Sequence, residues 1–154
     1  MYSELNAGAL SETSATKAYK LGEIRVTTDR TYGTRLWRYV QNKTGAALAV
    51  GVGVMQENGT NLYQVGLGGA ATARVRAVGV AQHAIASDYY GWVLKSGRGS
   101  IKASATGILV NAPQMLVANG LFEGGVIGTN EIIAHSMEAK ASGLLALALI
   151  DCGG

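Results

Sequence analysis

The chain has 154 residues, the length of one domain when domains usually run to about 100–200 residues. Hydrophobic residues make up 48% and charged residues 15%, against roughly 25% charged in an average soluble domain, so the chain can bury enough apolar surface to escape intrinsic disorder; 22 glycines beside a single proline exclude a Pro-rich linker. The net charge of +3 arises wholly in residues 1–45, which carry seven Lys/Arg and four Asp/Glu against six of each in residues 46–154, a weaker field than the concentrated basic face of a dedicated nucleic-acid binder.

Residues 1–20 show neither a helical stripe nor strict alternation and read as an N-terminal arm, with Leu5, Leu10 and Tyr19 as isolated anchors, ahead of a β domain over residues 21–154. Residues 22–31 alternate around Ile24 and Val26, the period of a half-buried strand. Residues 34–41 read as a second strand, in which Leu36, Trp37, Tyr39 and Val40 interleave with Arg35 and Arg38. Residues 46–55 give a period-2 run that places Leu48, Val50, Val52 and Val54 on one face. Asn58-Gly59 is a turn signal, because both residues tolerate positive φ, and residues 61–65 form the return strand.

The Gly/Ala tract 66–73 reads as a loop, since it lacks the lysine and the helix-opening glycine spacing of a phosphate-binding loop. Residues 75–82 alternate as a strand that is apolar on both faces. Gly97 and Gly99 bracket Arg98 and predict a hairpin turn between strands 91–95 and 100–105. Gly107, Pro113, Gly120, Gly124, Gly125 and Gly128 punctuate the next stretch, residues 144–152 read as a closing strand, and the Ala-rich 132–141 offers one short helix. Turn signals every 8–12 residues or so predict an all-β fold, a small β-sandwich or β-barrel. No repeat of fixed period is visible.

Residues with catalytic or ligating potential are sparse. His83 and His135 are the only histidines, and neither has a cysteine or carboxylate at ligand spacing, so no metal and no cofactor is expected. His83, Ser87 and Asp88 make a triad on paper, but Ser87 lacks the tight turn that would expose a nucleophile, and the chain is read as a non-enzyme. Cys152 is the single cysteine and cannot form an intrachain disulfide. No signal-peptide pattern is visible over residues 1–20, and the apolar run 144–150 is too short to span a bilayer, which takes about 20 residues. An intracellularly made protein without a membrane span is the expectation.

One string goes further. Asp88-Tyr89-Tyr90-Gly91-Trp92-Val93, preceded by Val78-Gly79-Val80-Ala81 and followed by Gly97 and Ser100-Ile101-Lys102-Ala103, resembles the core of small tailed-phage capsid decoration proteins. Arg38-Tyr39-Val40-Gln41-Asn42-Lys43-Thr44-Gly45-Ala46-Ala47-Leu48 and the stretches His135-Ser136-Met137-Glu138-Ala139-Lys140 and Leu147-Ala148-Leu149-Ile150-Asp151-Cys152 are similar to that family as well. The resemblance spans most of residues 34–152, with Ser87 where the family pattern has glycine. It implies a virion protein, assembled in the host cytoplasm, that binds the outer face of an icosahedral head. Its partners would be the major capsid protein and further copies of itself, as a homotrimer or other small oligomer, with no membrane or nucleic-acid partner. A head fibre base, a tail-tube subunit or a β-barrel that binds a small ligand or single-stranded nucleic acid are the alternatives. Because Trp, Tyr and Arg dominate interface energetics, Tyr19, Arg25, Tyr32, Trp37 and Arg38 are the expected interface anchors. Trp92, in mid-strand, reads as core.

Overall fold

The computed structural model describes residues 10–57, 62–67, 77–127 and 132–153. Residues 1–9 of the expected arm, the Asn58-Gly59 turn, most of the Gly/Ala tract, Val75, Arg76 and Gly128 lie outside them. The strands are β1 (Ile24–Asp29), β2 (Gly33–Asn42), β3 (Gly53–Gln56), β4 (Gln64–Leu67), β5 (Ala77–Ala81), β6 (Tyr90–Lys102), β7 (Pro113–Leu116), β8 (Phe122–Gly124), β9 (Ala134–Ser136) and β10 (Leu145–Asp151). The chain is all-β; among the described residues the helical geometry is confined to a 3-10 turn at Ala118–Gly120. The short helix expected near 132–141 is replaced by β9, whose Ala134 and Ser136 are buried while His135 faces out, the period of two that a strand requires.

Pairing order explains the architecture. β2, β4, β3, β5 and β6 pair in succession, and β6 pairs back onto β2, closing a five-stranded ring. Val40, Val54, Val65, Val93 and Ala81, joined by Leu48 and Ile85, fill it as one buried cluster. β6 then continues past Gly97 and pairs with β10, which pairs with β9, β9 with β7 and β7 with β8. β8 returns to the end of β6 through a parallel bridge between Ala103 and Phe122, so a second ring shares β6 with the first. Strands that bury both faces read as near-continuous apolar runs, and β5 is buried at all five positions.

The two rings repeat one backbone plan. Leu48 and Ile85 exchange hydrogen bonds at 2.9 and 3.3 Å, and Ile108 and Lys140 do the same at 2.8 and 2.9 Å. The Gly51 N–H donates to the Ala81 carbonyl at 2.7 Å, and the Asn111 N–H to that of Ser136 at 3.0 Å. Asp88 donates to Asn42 as Gly143 does to Ala103, and Lys43 to Val65 as Ser104 does to Phe122. Left-handed residues recur at the same places: Gly51 (φ 82°) and Asn111 (52°), Tyr63 (80°) and Gly120 (71°), Asp88 (65°) and Gly143 (75°). Side chains hide this kinship, since Val54 and Ala81 inside the first ring correspond to buried Gln114 and Ser136 inside the second.

Two predicted segments fold differently from their reading. The run 46–55 is not one strand: Gly51 takes positive φ, Leu48 makes only an isolated bridge, and β3 begins at Gly53. Leu48, Val52 and Val54 nevertheless all reach the core. The hairpin expected at Gly97–Gly99 is instead a kink within continuous β6. Gly97 sits at φ 116°, and a Cβ there would lie 2.8 Å from the Thr34 carbonyl oxygen, so glycine alone lets the strand leave β2 and join β10 without reversing. Beyond β5 the Gln82 side chain acts as a strand for β6, accepting from the Ser100 N–H at 2.8 Å and donating to its carbonyl at 3.0 Å.

The described part of the arm, residues 10–20, lies against the β domain. Leu10 is 2% exposed within the core, Ser14 and Tyr90 exchange backbone hydrogen bonds at 3.1 and 2.8 Å, and the Tyr39 hydroxyl accepts from the Ala18 N–H. Isolated anchors lacking any period suffice here, since Leu10 joins the main buried cluster and Tyr19 packs on Tyr39 and Trp92.

Candidate interface

Alternation along β2 sorts the expected anchors. Arg35, Trp37 and Tyr39 share one face and Arg38 takes the other. Arg25 stands opposite Trp37 in the β1–β2 register, and its guanidinium lies 4.4 Å from the Tyr19 ring centroid and 5.3 Å from that of Trp92. Tyr19 meets Tyr39 edge-on at 5.2 Å and Trp92 at 5.5 Å, while Tyr39 packs on Trp92 at 5.0 Å and stacks on Tyr90 at 6.1 Å. Each such aromatic pair adds about 0.5–1.5 kcal/mol beyond its buried area. Burial holds the Tyr39 hydroxyl above its ordinary pKa of 10.0. A small crevice of about 110 Å³, bordered by Glu12, Ser14, Tyr19, Tyr39 and Trp92, remains between arm and sheet.

Tyr19, Arg25 and Trp37 therefore come together, inside the protomer. Trp37 is 4% exposed and its indole N–H donates to the Thr27 hydroxyl at 2.9 Å. Arg38 is buried on the opposite face, 5.2 Å from the Tyr63 ring. Tyr32 stands apart at the β1–β2 turn and is 39% exposed, with the Arg35 guanidinium 4.5 Å from its ring. Asp29 orders that turn by accepting from the Thr31 and Tyr32 N–H groups at 2.8 and 2.7 Å and pairing with Arg35 at 2.9 Å. The Tyr32 N–H is the largest influence holding the Asp29 carboxyl below its usual range, and Arg35 adds to it. Of the five anchors, Tyr32 alone presents an exposed ring. The sequence reading did not count as anchors Arg35, which lies over Tyr32 and Trp37, or Tyr63, which lies under Arg38; the spacing of Arg35 and Trp37 two apart on one strand was the available signal.

The paper triad is not assembled: Asp88 pairs with Lys43 at 2.6 Å, and the His83 Nε2 is buried without a hydrogen-bond partner. His83 and His135 sit after β5 and on β9. No group of three or more His, Cys, Asp or Glu with metal-holding geometry occurs among the described residues, and no helix among them is long and apolar enough to cross a membrane.

The fold places the chain among double-ring, all-β proteins. No family model and no curated protein sequence matches it. Among solved structures it is similar to the base of the head fibre gp8.5 of bacteriophage phi29, with a TM-score of 0.52 and 10% identity, over 77% of this chain and 96% of that one. That likeness shows a shared fold.

Proposed function

We propose that the chain is a structural protein of a phage virion, a non-catalytic subunit that binds the outer surface of the head and stabilises the shell. The observation that carries this reading is the fold likeness to a head fibre base over nearly the whole of that base, which agrees with the capsid-decoration motifs around Trp92. The chain's chemistry supports it: charged residues make up only 15%, and large apolar side chains such as Leu109, Leu144 and Leu149 stand exposed on its surface. Such subunits bind through many weak contacts that a lattice repeats. The partners are then the major capsid protein and other copies of this chain. A second reading, the base of a head fibre, is favoured by the same likeness and differs in requiring a further polypeptide mounted on this one.

Co-sedimentation with heads assembled without this chain, beside light scattering of the free protein, tests the proposal. Stoichiometric pelleting with heads and an oligomeric mass are expected. A folded monomer that stays in the supernatant at micromolar concentration would overturn it.

A further inference from the structure

The internal repeat lets one face of the molecule be compared with its own counterpart. On β6 the outward row Tyr90, Trp92 and Leu94 is closed over: Trp92 is 1% and Leu94 0% exposed, Tyr19 lies on Trp92, and Ser14 adds a one-residue strand at Tyr90. The matching row on β10 is Leu145, Leu147 and Leu149, since β10 pairs with β6 as β6 pairs with β2. This row is open, with Leu145 41% and Leu149 53% exposed and Leu144 and Met137 exposed beside it. No bridge like that of Ser14 is made at Leu145 among the described residues.

The cross-strand neighbours of the three leucines are Lys102, Ser100 and Arg98, so a row of apolar side chains runs beside two cations, while the Glu138 carboxylate on the Leu147 N–H is neutralised by Lys140 at 3.2 Å. Arg98 also borders a cleft of about 340 Å³ with Leu149, Met137, His135 and Asn111, room for one apolar side chain beside a positive charge. A second copy laid face to face would bring the Arg98 and Lys102 groups of the two chains together, and like charges across an interface are costly. An extended segment with acidic and apolar residues in alternation meets both rows, and its backbone can bridge at Leu145, where β10 runs past its pairing with β9 at residues 148–150 and past Leu147, whose backbone groups are taken by Met137 and Glu138.

We propose that the outer face of β10 is a docking site for an extended, acidic and apolar segment of another polypeptide, which covers Leu145, Leu147 and Leu149 as residues 10–20 cover Trp92. In the function proposed above the donor is the head shell, and the inference rests on that reading for the donor only.

The test uses the full chain and a synthetic peptide of alternating Leu and Glu, with a Leu/Lys peptide of equal length as control. The Leu/Glu peptide is expected to shift the backbone NMR signals of Leu145, Leu147 and Leu149, and its affinity to fall at least tenfold in Lys102→Glu and in Leu149→Asp, two exposed or half-exposed sites whose folding is checked by circular dichroism. Shifts confined to other strands, or equal binding of the Leu/Lys peptide, would overturn the docking site. So would a self-associated chain that Leu149→Asp converts to monomer, because a second copy would then be the occupant. In the head assay, wild-type pelleting lost in Leu149→Asp assigns the donor to the shell. Peptide binding at β10 without pelleting of the wild type would refute the proposed function and leave the docking site standing.

Discussion

Replacing Trp92 by alanine probes the joint between arm and sheet. The indole is 1% exposed and touches two tyrosines and a guanidinium, so its truncation removes a fully buried aromatic from a site whose walls belong to three different segments. Such truncations cost about 3–5 kcal/mol, a large share of the roughly 5–15 kcal/mol that holds a domain folded. With a urea dependence of about 2 kcal/mol per molar for a chain of this size, the unfolding midpoint should fall by about 2 M at unchanged slope, followed by far-UV circular dichroism. Because Tyr19 rests on Trp92, residues 10–20 should also loosen, and trypsin should cut after the exposed Lys17 and Lys20 faster than in wild type. A midpoint shift under about 0.5 M, or unchanged cleavage in the destabilised variant, would refute the view that arm and sheet share this core.

Gly97→Ala should lower the melting temperature more than Gly143→Ala: both residues have positive φ, but only at Gly97 would the new methyl meet a backbone oxygen, at 2.8 Å. Tyr32→Ala should change stability by less than about 0.5 kcal/mol while weakening head binding in the pelleting assay, since its ring is exposed at a turn that Asp29 orders independently. Burial pushes His83 below its ordinary pKa of 6.5, so protonation favours the unfolded chain; stability should be full above that pH and decline as pH falls toward the folded pKa, and His83→Gln should flatten this part of a melting-temperature titration. A further loss should begin near pH 4.5, because the Leu147 N–H, and then Lys140, hold the Glu138 carboxyl below that ordinary value. Glu138→Gln should remove it.

Alternation exposed most of the first ring in the sequence. Ile24 and Val26 lie in β1 beside that ring, Trp37 and Tyr39 in β2, and residues 77–81 of the run form β5, as their period of two requires. Glycine was harder to read, because the same residue ends a strand in one place and bends it in another: Gly97 was taken for a reversal, and only the presence of β2 on one side and β10 on the other decides for a kink. The repeat was invisible because it lives in backbone hydrogen bonds and left-handed turns, which Gly51 and Asn111, or Asp88 and Gly143, serve with different side chains. Anchors were judged by residue type, and type cannot tell an arginine packed on its own Tyr19 from one offered to a partner. The 144–152 strand was recognised, but which of its faces is covered depends on packing by distant segments, as residues 10–20 cover the β6 row, and no period within the strand reports that.

β6 serves the two rings end to end: residues 90–96 pair with β2 and β5 and close the first, and residues 96–102 pair with β10 and wall the second. Cutting the chain near Gly97 would leave each ring its own half of β6 and remove only the covalent link between them, whereas in the uncut chain the continuous strand should make the two melt together in a single transition, with the amides of β6 the last to exchange with solvent. A protein engineer wishing to transplant the leucine face onto another scaffold would place the cut at Gly97, carry residues 97–152, and replace the bonds that Ser100 and Lys102 make to Gln82 and Gly51.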